Sequence, residues 1–178
     1  RLDLFDTVTG ELKPIANDEP GVSLEFLAGA KGEDQSIFYI RKESERKQFV
    51  LVRRDFKSGI ESKQDVLPVS NPEANYTFAL DGDRKWLGYL SAERKESGES
   101  VFRVARRNLQ TGEEVEVIRS NYFIEPRPNT GVRQLAVGIR NENGERAVRF
   151  FDLTTQPPRE QFAAPFPKEA SLGWWTPD

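Results

Sequence analysis

Leu80-Asp81-Gly82-Asp83-Arg84-Lys85-Trp86-Leu87-Gly88-Tyr89 leads, through a charged stretch and a second alternating segment, into Asn108-Leu109-Gln110-Thr111-Gly112. Asp-Gly between two apolar runs is a strong signal for a tight hairpin turn. The second turn has its own chemistry. Asn or Asp opens it by bonding its side chain to backbone amides ahead, and Gly closes it in a left-handed conformation that other residues resist. Between the turns apolar and polar residues alternate, which is the period of a strand. The whole stretch reads as successive antiparallel strands.

The closing turn recurs along the chain. Asp6-Thr7-Val8-Thr9-Gly10, Asp55-Phe56-Lys57-Ser58-Gly59 and a decayed Asp152-Leu153-Thr154-Thr155-Gln156 stand with it at intervals of about 50 residues, the range of propeller and array repeats. An alternating strand precedes each of the later copies, with Phe49 and Leu51, then Phe102 and Val104, then Ala147 to Phe151. Upstream lies a more apolar strand in each repeat: Ile37 to Ile40, Trp86 to Leu90, Leu135 to Ile139. These strands are predicted as the most buried, with Phe38, Trp86, Tyr89 and Leu135 in the cores. A short first strand completes the unit: Leu24 to Leu27, Tyr76 to Leu80, Tyr122 to Ile124.

Four antiparallel strands in about 45 residues make the blade of a β-propeller. The predicted fold is therefore all-β: three complete blades over 22–68, 75–119 and 121–163, with partial blades at 1–18 and 170–178. The first partial blade has only its last two strands, and the final one has a single strand, Ser171 to Thr176. Open edges pair with whatever strand is available. The expectation is a fragment of a longer chain, or self-association through the terminal blades, with Trp174 and Trp175 buried in the completed contact.

Composition narrows the function. The 178 residues are 37% hydrophobic and include 12 Phe, 4 Tyr and 3 Trp, enough to build a core. With 26 basic and 29 acidic residues the net charge is −3, so no whole-chain field favours nucleic acid. No run approaches the roughly 18 apolar residues of a membrane helix, so membrane insertion is not expected. The sequence contains neither His nor Cys. That removes the base of a Ser-His-Asp site, the thiol nucleophile, and the usual zinc ligands. These residues are read as non-enzymatic and as holding no cofactor. Localisation is not legible from the residues.

The segment from Leu80 to Tyr89, together with the Asp-x-x-Thr-Gly-like turns, resembles the TolB-type β-propeller repeats, which also build the non-catalytic propellers of prolyl-oligopeptidase-like serine peptidases. Trp174-Trp175-Thr176-Pro177-Asp178 looks like the start of another repeat. Two repeats depart from the pattern at their first turn, with Ala28-Gly29-Ala30-Lys31-Gly32 and Arg127-Pro128-Asn129-Thr130-Gly131. The repeats, the charge balance and the lack of catalytic residue types point to a soluble binding and scaffolding module, and the resemblance suggests a periplasmic or secreted setting. It also implies an alternative: a substrate-gating propeller of a serine peptidase or related hydrolase, with the catalytic domain outside these residues.

Candidate site residues lie on three charged hairpins at equivalent places in the repeats: Arg41 to Lys47, Glu93 to Glu99, and Arg140 to Arg146. Exposed loops on a rigid scaffold are where binding concentrates. Arg41, Lys42, Arg46, Arg94, Lys95, Arg140 and Arg146 are accordingly the residues expected to meet a protein or peptide partner; the competing reading is polar hairpin tips kept for solubility. Arg53, Arg54, Arg106 and Arg107 line an anionic-ligand groove or guard a strand edge. Asp81 and Asp83 read as a tight turn before a calcium site, which needs six or more oxygens. Ala28 to Gly32 lacks phosphate-loop spacing, and Asn75-Tyr76-Thr77 fits a glycosylation acceptor.

Overall fold

The computed structural model describes residues 1–5, 7–17, 19–29, 34–69, 74–122, 124–128 and 134–167, with the backbone alone at 125–128. The predicted strand Ser171 to Thr176, with Trp174 and Trp175, lies outside them. Fourteen strands and no helix are present among the described residues. The chain divides into two compact units, Arg1–Glu73 and Ala74–Asp178.

The first unit holds a hairpin of β1 (Leu2–Phe5) and β2 (Leu12–Ala16). It also holds an antiparallel sheet of β3 (Val22–Ala28), β4 (Ser36–Glu43), β5 (Gln48–Asp55) and β6 (Glu61–Pro68), in chain order. Consecutive strand residues point to opposite faces. A strand covered on both faces therefore needs an unbroken apolar run, and the two inner strands have one. Ile37, Tyr39, Val50 and Val52 are buried on one face, and Phe38, Ile40, Phe49 and Leu51 on the other. Leu2, Ile15 and Ala16 of the hairpin pack against the first of these faces. Outer strand β6 begins with exposed Glu61, Ser62, Lys63 and Gln64.

The second unit contains two sheets, again each in chain order. One is β7 (Asn75–Leu80), β8 (Trp86–Arg94), β9 (Ser100–Asn108) and β10 (Glu114–Ser120); the other is β11 (Ile124–Pro128), β12 (Gln134–Arg140), β13 (Arg146–Asp152) and β14 (Arg159–Phe166). Val104 and Ile118 of the former and Ile124, Leu135, Val137 and Phe151 of the latter form one core between them. Of the residues predicted in cores, Phe38, Tyr89 and Leu135 are buried, and Trp86 is half-buried.

The recurrent turns carry the hydrogen bonds their residues predict. Asp55 Oδ1 accepts from the amides of Lys57 (3.0 Å) and Ser58 (2.8 Å). Asn108 Oδ1 accepts from Gln110 (2.9 Å) and Thr111 (3.1 Å), and Asp152 Oδ1 from Thr154 (2.7 Å). Gly59 and Gly112 close their turns at φ 69° and 73°, where a Cβ would be strained. Asp81 caps the β7–β8 turn, its carboxylate accepting from the amides of Lys85 (2.6 Å) and Trp86 (3.0 Å).

One strand differs from its prediction. The first strand of the last sheet runs Ile124–Pro128 rather than Tyr122 to Ile124, so it includes two prolines. Pro126 and Pro128 are two residues apart and withdraw their donors from the same side of the strand. Among the described residues β11 is an edge strand paired only with β12, so that side can face away from the ladder.

Candidate functional site

The three charged hairpins join the second and third strands of the three sheets. In the first, Glu43 is the hub: its carboxylate lies 3.5 Å from Arg41 and 3.5 Å from Arg46, and accepts from Gln48 at 2.5 Å. Arg41 also reaches Glu19 at 3.6 Å. Lys42 lies beside Arg41 on β4 and faces Phe49 across the pair. Lys47 adopts φ 50° to complete the turn.

The second hairpin, β8–β9, turns at Gly98 (φ 87°), whose amide donates to the Lys95 carbonyl at 2.9 Å. Arg94 Nε donates to the Gly98 carbonyl at 3.3 Å, and Lys95 lies 3.7 Å from Glu99. The third, β12–β13, is tied by Asn141, which accepts from the Glu145 amide at 2.9 Å and donates to its carboxylate at 2.8 Å. Here Arg140 and Arg146 stand directly opposite each other in register, a like-charge pair that costs rather than stabilises. Arg146 lies over the Phe166 ring at 4.9 Å from its centroid.

Lys95 and Glu99 are both more than half exposed, and such a pair contributes about 0–1 kcal/mol, so an incoming anion can exchange for that carboxylate at small cost. Glu43 is different: its side chain is 11% exposed and is shared by Arg41, Arg46 and Gln48.

The paired arginines of the third strands have a different fate. Arg53 Nη2 lies 3.2 Å from Asp34, and Arg54 Nη1 2.8 Å from Glu61. Arg106 is only 7% exposed. Its guanidinium lies over the Trp86 ring, 4.2 Å from the centroid, and donates to the backbone carbonyls of Leu153 and Thr155 in the turn of the neighbouring sheet. It is a clasp between two sheets, and the expectation that it lines an anionic groove is corrected: the β-strand turns it inward, onto carbonyl oxygens. The sequence signal that could have found it is the aromatic Trp86 on the adjoining strand, since a desolvated guanidinium needs a π face or a carbonyl to replace water.

A second arginine organises the far side of the same sheet. Arg103 bonds Glu114 at 2.6 Å, Glu116 at 2.9 Å and the Tyr89 hydroxyl at 2.8 Å, and Glu116 meets Arg119 at 2.7 Å. Burial works against the charge of Glu114, but hydrogen bonds from Arg103 and Tyr89 outweigh it and hold its carboxyl below the usual range. The Arg119 hydrogen bond lowers Glu116, and the Arg149 hydrogen bond lowers Glu160. Hydrogen bonds from Ser58 and Thr154 do the same for Asp55 and Asp152. Burial pushes Asp81 the other way, upward.

The sign of the pH dependence follows. Carboxylates held low in the fold stabilise it fully above their unfolded values near 3.8 to 4.5, and that stabilisation is lost as pH falls through the lower folded values. Thermal melts from pH 7 to pH 3 are expected to show a midpoint that is nearly level to about pH 5 and then declines. A midpoint that rises on acidification would show these ion pairs to be absent.

No protein-family model and no curated protein matches the sequence. Solved structures do match. The β-propeller domain of the Trilobed protease from Pyrococcus furiosus, described as having an open velcro topology, superposes with a TM-score of 0.59 at 14% identity, over 89% of this chain and 47% of that one. A prolyl endopeptidase superposes with a TM-score of 0.53 at 20% identity, over 85% of this chain and 24% of that one. The fold is a β-propeller. A TolB from Agrobacterium tumefaciens is also similar, with a TM-score of 0.49 at 13% identity, over 85% and 52%. This propeller chain spans about half the length of the first of these chains and about a quarter of the endopeptidase. Its four-stranded sheets are propeller blades, and the three hairpins are the loops between the second and third strands of successive blades.

Proposed function

We propose that this chain is a non-catalytic binding and scaffolding module that docks an acidic protein or peptide segment on its charged blade hairpins. The observation that carries the reading is the recurrence of an exposed basic group on the hairpin between the second and third strands of each blade. Arg46 is exposed on the first hairpin, Lys95 on the second and Arg140 on the third. None of these three side chains is needed to hold its turn, because backbone bonds and Gly98, Gly144 or Lys47 do that. A rigid sheet scaffold with replaceable charge at its loop tips is suited to recognition.

The test uses a fluorescent Glu/Asp-rich nonapeptide as probe. The wild-type chain is expected to bind it with an affinity that falls as salt rises. The triple variant R46E/K95E/R140E is expected to lose at least about tenfold in affinity, or roughly 1.4 kcal/mol, at an unchanged melting temperature. Equal binding by the two proteins, or no binding by either, defeats the proposal.

The enzyme-class reading, a gating propeller, is supported by the peptidase origin of two superposing structures. With no His in these 178 residues, the general base of that reaction would come from elsewhere in a longer protein. A Gly-x-Ser-x-Gly elbow followed by Asp and His in the adjoining coding sequence is its check.

A further inference from the structure

Asn143-Gly144, at the tip of the β12–β13 hairpin, is the sole Asn-Gly pair in the sequence. Both residues are exposed, and Asn143 has no hydrogen-bond partner among the described residues. Gly144 adopts φ 78°, and a Cβ placed on it would meet nothing within 4 Å beyond the adjoining residues. The Gly144 nitrogen is thus followed by open space. The side chain before it is a short amide that is free to turn toward it.

Groups of similar chemistry elsewhere are held. Asn141 both accepts from and donates to Glu145, and Glu142 follows it. Asn108 Oδ1 accepts from the amides of Gln110 and Thr111, and Leu109 follows it. Asp81-Gly82 is the sole Asp-Gly pair, and the Asp81 carboxylate accepts from the amides of Lys85 and Trp86. Each of these side chains must break hydrogen bonds before it can swing onto the next nitrogen. Asn143 has none to break.

We propose that Asn143 is a site of spontaneous covalent modification, deamidation through a cyclic imide. The Gly144 nitrogen gives up its proton and bonds to Cγ of Asn143. The Cγ–Nδ2 bond breaks, and the side-chain nitrogen leaves with that proton as ammonia. Water then opens the imide at either carbonyl carbon. Opening at Cγ gives aspartate, and opening at the backbone carbonyl gives isoaspartate, in which the chain runs through the side chain and is one carbon longer. Nothing is oxidised or reduced, and water is the sole co-reactant.

The turn sets the rate. The Gly144 amide donates to the Asn141 carbonyl at 3.0 Å, and this bond must open before the nitrogen can attack. It is the outermost bond of a hairpin tip whose residues 141–145 are all exposed, where local opening costs least. Either product adds a carboxylate beside Glu142 and Glu145, which Arg140 and Arg146 now balance, and the hairpin becomes net negative. An acidic partner is then repelled from this blade. That consequence rests on the docking reading above, whereas the chemistry at Asn143 does not.

The test incubates the folded chain for days at mildly alkaline pH and follows the 140–146 segment by peptide mass spectrometry with isoaspartyl detection. A gain of about one dalton is expected at Asn143, with isoaspartate the larger product, at least about tenfold faster than at Asn108 or Asn141. Asn143→Gln is expected to keep the wild-type melt and show no gain in this segment, because its longer side chain closes the ring far more slowly. A parallel arm holds the chain unfolded in urea. Conversion in urea with Asn143 intact in the folded chain would show that the turn bond locks the nitrogen, and overturns the proposal. It is equally overturned by conversion in neither arm, or by Asn108 or Asn141 reacting as fast as Asn143.

Discussion

Leu135→Ala is expected to destabilise the second unit by roughly 2 to 5 kcal/mol, the range for a leucine truncated inside a packed core. Leu135 is 5% exposed and belongs to the core shared by two blades, with Val104 and Ile118 on one side and Ile124, Val137 and Phe151 on its own. It pairs with Phe151 across the β12–β13 ladder, so neighbouring side chains are fixed by backbone register and cannot easily collapse into the space. For a chain of this size the loss corresponds to a fall in melting temperature of about 5 to 15 °C. Leu135→Met keeps the volume and is expected to cost under about 1.5 kcal/mol. Calorimetry on the two variants checks both the burial and the packing, and an unchanged melt for the alanine variant would be incompatible with the core as described.

Arg106→Ala is expected to cost about 3 kcal/mol, more than any arginine on the charged hairpins. The loss has two parts. The carbonyls of Leu153 and Thr155 lose a charged donor, and the Trp86 face loses the guanidinium stacked on it. Arg106→Lys should recover only a fraction, since an ammonium lacks the planar fork that reaches two carbonyls and lies flat on a ring. Arg46→Ala, at a 76% exposed side chain, should leave the melt within about 0.5 kcal/mol of wild type. Equal melting temperatures for the Arg106 and Arg46 variants would show that the clasp does not form. A Trp86 emission shift in Arg106→Ala, absent in Arg46→Ala, would place the loss at the ring.

Much of this fold is legible in the residues because its punctuation is local. The Asp55, Asn108 and Asp152 turns close through hydrogen bonds spanning two or three residues, so the sequence around each turn contains both donor and acceptor. Burial of β4 and β5 on both faces is equally visible, as the unbroken apolar runs Ile37 to Ile40 and Phe49 to Val52 leave no polar face to turn to water. The charged hairpins are readable for the same reason, since Glu43 and Glu99 lie within a few residues of the bases they meet. The prolines of β11 are harder. Pro126 and Pro128 argue against a strand until it is known that β11 lies at the edge of its sheet.

Strand period, turn chemistry and repeat length are legible in the residues alone, because each is set by neighbours along the chain. What distinguishes Arg106 from Arg107, adjacent residues of one type that strand alternation sends to opposite faces, is the packing of the folded sheets. One face meets the carbonyls of the next blade, and the partner that gives Arg106 its role is 47 residues away along the chain. The same holds for a cleft beside β1: Phe26 and Ile37 reach it from a different sheet, so no window of sequence contains both walls. Short-range hydrogen bonds and period-two burial are written into neighbouring residues, whereas contacts between sheets depend on which faces the folded backbone brings together.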